Sequence, residues 1–187
     1  MVEKRKNWNG LMSGFKESDL VFLDESGCNT DMTRRYAYSL GGSRAVDSTP
    51  LSKPKNTTIL SSIQLDGTLR YTTFSGGTTV ERFKRYLETD LLPHLNGNSV
   101  LIMDNMKSHH AKAVKNLLDS SGIRYIYLPP YSPDLNPIEK LWSKVKAFLR
   151  KFKARTLDAL PNAIQNAFHS VTISDCSGWF RFCGYAL

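Results

Sequence analysis

The sequence predicts an α/β protein, a mixed sheet of five strands covered by helices on both faces. Three observations predict it. Continuous apolar runs such as Leu20 to Leu23 and Val100 to Met103 suit strands buried on both faces. The stretch NTTILSSIQLDGTLRYTTFSGG reads as a hairpin of two β-rich runs. Segments with apolar residues three and four positions apart alternate with these runs, as helices that cover a sheet do.

In order along the chain, the first strand lies in DLVFLDESG and ends its apolar run on Asp24. RRYAYSLGGSRAV is compatible with a small hairpin around Gly41 and Gly42. The larger hairpin turns at Asp66 and Gly67, a pair that tolerates the positive φ angles of a tight I′ turn. TTVERFKRYLETDLLPHL starts with a threonine cap and places Val80, Phe83, Tyr86 and Leu87 on one helical face before Pro93. A strand from Ser99 to Asp104 follows, then a helix in AKAVKNLLDSSG with Ala113, Val114, Leu117 and Leu118 inward and Gly122 after its end. IRYIYL is a strand stopped by Pro129 and Pro130. The strand, helix and strand from Ser99 to Leu128 form a βαβ unit, so its two strands run parallel. The most regular helix follows the loop PPYSPDLNP, with Asn136 as cap and Pro137 in the first turn. Its apolar face is Ile138, Leu141, Trp142, Val145, Leu149 and Phe152. A last helix spans TLDALPNAIQNAFHSV, kinked or restarted at Pro161.

Length and composition fit one domain with a substantial core: 187 residues, 41% hydrophobic and 11% aromatic. An excess of 25 Lys and Arg over 17 Asp and Glu gives a net charge of +8, which favours a polyanion such as nucleic acid. Seven of the basic residues fall between Lys140 and Arg155 without an intervening acid, which makes this segment a candidate phosphate track. The three cysteines, Cys28, Cys176 and Cys183, have neither the number nor the spacing of a disulfide framework or structural zinc site. No charged n-region with an apolar stretch opens the chain, and no apolar run approaches the roughly 18 residues of a membrane span. The expectation is a soluble, cytoplasmic protein with no membrane partner.

Asp24 and Asp104 each follow an apolar strand, at the end where α/β sheets place ligands. Glu139 lies in the first turn of the long helix, after a proline-bounded loop that can bring it to the same place. Three converging acids repel one another unless cations sit among them. Oxygen donors suit Mg²⁺, with Mn²⁺ as a substitute, and a pair of such ions about 3.5–4 Å apart clamps a phosphoryl displacement. Ser143, Lys146 and Arg150 share the helical stripe of Glu139, so cations trail away from the acid; Lys144 belongs to the same track. Taken singly, each acid is also compatible with a cap, a turn or a salt bridge. Paired carboxylates also serve glycosidases, but basic charge beside Glu139 argues against that chemistry.

The segments LVFLDESG, LIMDN with His109 five residues beyond its aspartate, and LPPYSPDLNPIEKLWS resemble the catalytic domain of bacterial insertion-sequence transposases of the mariner superfamily. These are members of the DDE group with an RNase H-like fold. The 34 residues between Asp104 and Glu139 match the spacing of that branch, and MTRRYA, NTTI and the closing WFRFCGY extend the likeness over nearly the whole chain. The resemblance implies that Asp24, Asp104 and Glu139 are a catalytic, metal-binding triad. It implies DNA cleavage at transposon ends and strand transfer into target DNA, carried out by a homodimer or an assembly with full-length transposase. His109 either touches DNA or supports Asp104, while Asn105, Asn136 and Trp142 belong to the motifs without an assigned role. Residues 1–18 read as a short lead-in to a catalytic domain at 19–187, too short for the helix-turn-helix reader of full-length relatives. That shortness opens an alternative: a catalytically silent, truncated transposase acting as a DNA-binding or regulatory fragment.

Overall fold

In the computed structural model, residues 2–34, 36–48 and 54–185 are described. Five strands form one mixed sheet: β1 (Leu20–Cys28), β2 (Thr57–Gln64), β3 (Leu69–Ser75), β4 (Val100–Met103) and β5 (Arg124–Tyr127), in the order β3-β2-β1-β4-β5. The pairs β1/β2 and β2/β3 are antiparallel, whereas β1/β4 and β4/β5 are parallel. Six α-helices accompany it: α1 (Val2–Met12), α2 (Val80–Tyr86), α3 (Lys112–Ser121), α4 (Ile138–Phe152), α5 (Leu160–His169) and α6 (Ile173–Phe182).

Alternation along β1 divides the core. Leu20 and Phe22 point to one face and pack with Ile59, Ile63, Val100 and Ile102 beneath α1, α4, α5 and α6. Val21 and Leu23 point to the other, where Leu60, Leu101 and Met103 meet α2 and α3. A one-residue slip would exchange these sets, so the register is fixed by burial on both faces. At the centre of the first face Phe22 meets Phe180 edge-on at 5.4 Å and Tyr185 at 4.9 Å, contacts that each add about 0.5–1.5 kcal/mol beyond buried area.

Local chemistry explains most boundaries. Thr79 caps α2 by accepting from the Arg82 N–H at 3.3 Å, and Gly122, at φ 71°, closes α3 in the left-handed region that glycine tolerates. The α2 segment does not stop at Tyr86 but runs on through a π-helical turn (Leu87–Leu91) to a 3₁₀ turn at Pro93. Pro133–Leu135 make another 3₁₀ turn, and Asn136 accepts the Glu139 N–H through its backbone carbonyl rather than its side chain.

Several expectations need correction. The hairpin turns by a type I turn followed by a left-handed glycine: the Gly67 N–H donates to the Gln64 carbonyl, only Gly67 has positive φ, and the Thr68 N–H is held by the Asp66 carboxylate. Gly41 and Gly42 form a turn, but no strands pair around it among the described residues; the segment is exposed and has no face to bury. Trp8 and Met12 of α1 enter the core. Ala113 and Phe152 lie outside it, at the margins of their helices. Among the described residues, no helix is long and apolar enough to cross a membrane.

Candidate active site

β1 is longer than its apolar run. Leu23 pairs with Met103, the last residue of β4, whereas β1 continues to Cys28 against β2. Asp24 is therefore in mid-strand rather than at a strand end, at the level where β4 stops and leaves a notch in the sheet. Asp104 follows β4 directly into that notch. Glu139 enters from α4, which packs across the Leu20 and Phe22 face of β1. All three acids line one cleft of about 540 Å³, whose far wall is the Pro129–Pro133 loop.

Each acid has a different setting. Asp24 is 9% exposed, accepts the Glu25 N–H at 2.8 Å and accepts the Trp142 indole N–H at 3.3 Å. Burial, reinforced by the charges of Asp104, Glu25 and Glu139 and opposed by the Glu25 N–H, pushes its carboxyl up to about 7. Asp104 is half exposed and its Oδ1 accepts the Met106 N–H at 2.9 Å. Burial would raise its pKa, but hydrogen bonds from His109 and Met106 outweigh that and hold it below the usual aspartate value. Glu139 is exposed at the head of α4.

His109 is not available to DNA. The ring is 0% exposed, stacks on Phe83 at 4.2 Å and spends both nitrogens on carboxylates: Nδ1 lies 2.9 Å from Asp104 Oδ1 and Nε2 lies 3.2 Å from Glu25 Oε1. Burial works against the charged ring, yet the two carboxylates prevail and raise its pKa to about 9. The imidazolium thus ties Asp104 to Glu25. Sequence reading overlooked Glu25; its signal was an acid directly after Asp24 in an otherwise apolar strand, which alternation turns toward the opposite face.

Two sets of donors could meet a cation. Glu25, Asp104 and His109 have donor atoms all within 4.8 Å of one another. A ring held as imidazolium between two carboxylates has no lone pair to offer a cation. Asp24, Asp104 and Glu139 offer oxygen atoms alone and line the cleft, a donor set that suits a hard divalent ion. That set fits the ion better.

The basic track is partly committed elsewhere. Lys144 donates to Asp175 of α6 at 2.5 Å, Lys153 to Asp47 at 2.6 Å, Arg155 to the Thr30 and Met32 carbonyls, and Lys140 lies over the Phe182 ring. Lys144 thereby ties α4 to α6. Among the described residues no ion pair engages Lys146, Arg150 or Lys151, and the first two are on the Glu139 stripe.

Residues 19–161 match a family model described as DDE superfamily endonuclease. Over 97 residues the chain is 28% identical to the transposable element Tc1 transposase of Caenorhabditis elegans, covering 50% of this chain and 36% of that protein. Over 75 residues it is 29% identical to the Tcb2 transposase of Caenorhabditis briggsae, covering 40% of this chain and 28% of the relative. The chain thus matches about a third of the length of these curated relatives. The fold is shared with a pre-cleavage Mos1 transpososome at TM-score 0.81 and 18% identity over 96% of this chain and 58% of that one. It is shared with the catalytic domain of Mos1 mariner transposase at TM-score 0.74 and 16% identity, over 97% and 86% of the two chains. An RNase H-like sheet, acids delivered from β1, β4 and α4, and a family match over most of its length together make this chain a member of the DDE superfamily endonucleases.

Proposed function

We propose that the chain is the catalytic portion of a DNA transposase, which cuts phosphodiester bonds at transposon ends and joins the freed end to target DNA. The observation that carries this reading is that Asp24, Asp104 and Glu139, from three separate elements, line one cleft. Asp24, Asp104 and Glu139 would hold two Mg²⁺ or Mn²⁺ ions, which supply Lewis acidity to the attacking and departing oxygens.

The residues of the chain do the rest. The Trp142 N–H and the Glu25 N–H fix the two oxygens of Asp24 so that its carboxyl cannot turn away from the cleft. Because that carboxyl titrates near 7, it must lose a proton as a cation binds. Asp104 is held from behind through Oδ1 by His109 and by the Met106 N–H, which leaves Oδ2 free toward the cleft. Lys146 and Arg150 continue the Glu139 stripe along α4 and suit a phosphate backbone that leads into the acids. In the first step water would attack phosphorus, losing a proton, and the P–O3′ bond would break to leave a 5′ phosphate and a protonated 3′ hydroxyl; in the second that 3′ hydroxyl would attack a target phosphorus, losing its proton, and the target's own 3′ oxygen would depart and take up a proton as the new free 3′ hydroxyl. DNA is the partner, and paired ends call for two copies or a mixed assembly with a longer transposase.

The test is cleavage and joining on DNA bearing the ends of the element, with Mg²⁺ or Mn²⁺. Asp24→Asn, Asp104→Asn and Glu139→Gln should each lower the rate by about a thousandfold or more, the several kcal/mol that metal-assisted displacement supplies. Joining of a pre-cut 3′ end separates a transposase from a plain nuclease. Metal binding and suppression of a related active transposase without cleavage would instead indicate a regulatory fragment.

A further inference from the structure

The loop that delivers Glu139 has little backbone with which to anchor itself. Pro129, Pro130, Pro133 and Pro137 lack N–H groups, and the Leu135 and Asn136 N–H groups bond within the loop, to the Ser132 and Pro133 carbonyls. From outside, the Asn105 side chain donates to the Leu128 carbonyl at 2.6 Å, and the Tyr185 hydroxyl donates to the Leu135 carbonyl at 2.6 Å. Tyr185 is near the C-terminus, 5% exposed and packed on Phe22. Its hydroxyl accepts the indole N–H of Trp8, from α1 near the opposite terminus, at 2.8 Å. Trp8 and Leu11 also line a cavity of about 500 Å³ behind the loop, and this cavity shares Asn105, Leu128, Pro129 and Pro130 with the acid cleft. One sheet of residues is thus the rear wall of the cleft and the front wall of the α1 cavity.

We propose that Tyr185 and Trp8 are positioning residues: together they hold the proline loop from behind, and so set where Glu139 stands relative to Asp24 and Asp104. The inference rests on the metal-site reading above. It makes cation affinity depend on the docking of α1, although none of the described side chains of α1 lines the cleft. The chain of contact is short, since Leu135 precedes Glu139 by one helical turn and the intervening Asn136 and Pro137 are buried. A phenol with both its acceptor and its donor engaged has one orientation, which is what a fixed strut requires.

The experiment measures Mn²⁺ affinity by the electron paramagnetic resonance signal of free Mn²⁺, alongside thermal unfolding, in the full chain. Tyr185→Phe keeps the ring against Phe22 and removes only the hydroxyl. It should weaken Mn²⁺ binding by about tenfold, the low end of the effect of losing an outer partner of a metal site. Its Tm should fall by roughly 2–8 °C, from the two buried groups it leaves unpaired. Val114→Ala, in the core on the other face of the sheet, should lower Tm without changing affinity. In a Glu139→Gln background Tyr185→Phe should produce no further loss, because the group it positions is gone. Trp8→Phe leaves the Leu135 bond in place and should weaken binding in the same direction by less, which keeps the test open if the Tyr185 variant does not fold. Wild-type affinity in both Tyr185→Phe and Trp8→Phe, or equal losses with and without Glu139, would overturn the proposal. If Glu139→Gln itself binds Mn²⁺ like the wild type, the metal-site reading fails first and takes the strut with it.

Discussion

Asp24 and Glu25 are neighbours on β1 and meet opposite surroundings. Both are largely withdrawn from water, Asp24 at 9% exposure and the Glu25 side chain at 7%, so burial does not distinguish them. The pleat does. Asp24 turns to the α4 face, where the charges it meets are other acids. Glu25 turns to the α2 and α3 face, where a buried imidazolium compensates it. One strand thus serves both stability and chemistry: Asp24 sits among other acids of the cleft, whereas Glu25, which also borders the cleft, pairs with the His109 ring that holds Asp104 in place. Uncompensated charge is a cost to the fold that a cation would relieve.

Breaking the compensated side should have the largest effect on stability. Glu25→Gln leaves His109 with one carboxylate fewer in a buried site and should destabilise the fold by about 3–5 kcal/mol, read by urea unfolding near neutral pH. The same contrast predicts an opposite sign for Asp24→Asn. The Asp24 carboxyl is raised from 3.8 to about 7, so the stability it contributes is complete below about 4 and is lost as pH rises through 7. At pH 8 without divalent ions, Asp24→Asn should therefore stabilise by about 2–4 kcal/mol, a difference that vanishes toward pH 4. If both variants destabilise at pH 8, the two sides of β1 are not in contrast.

His109 sharpens the comparison further. Its pKa is raised from 6.5 to about 9, so its contribution is complete below 6.5 and disappears as pH climbs through 9. His109→Gln should lower Tm at pH 6 by several degrees and by progressively less above pH 9, measured against the wild type at matched pH. The smallest effect belongs to the track. Lys146→Ala and Arg150→Ala should each reduce the salt dependence of DNA binding by about one unit of slope, whereas Lys144→Ala, already tied to Asp175, should leave it unchanged.

The sequence made the site legible wherever a residue's role follows from its place on a strand or helix. The apolar runs ending at Asp24 and Asp104, the βαβ unit and the Glu139 stripe depend on periodicity and handedness, which local residues express. Other features depend on partners remote in the chain. Nothing near Asp24 tells that β1 outruns β4, because that is a matter of pairing with Thr57 to Ser61 on β2. His109 beside Asp104 could face solvent or core until Phe83 and Glu25 are in place around it. Trp8 and Tyr185, 177 positions apart, declare no connection until the core brings their polar atoms together. α1 has only Trp8 and Met12 to bury among its described side chains, too sparse a pattern for a helix to be read from its sequence. α6 is announced by its capping box, Thr172 with Asp175, which the reading of the chain passed over.

Cations are expected at Asp24, Asp104 and Glu139 and not at Glu25 and His109. Crystals of the chain soaked in Mn²⁺, with anomalous scattering recorded for the metal, test this most directly. Density should appear between the Asp24 and Asp104 carboxylates, within reach of Glu139, with an undisturbed His109 bridge. Metal held by Glu25 and His109, with Asp24 untouched, would contradict it.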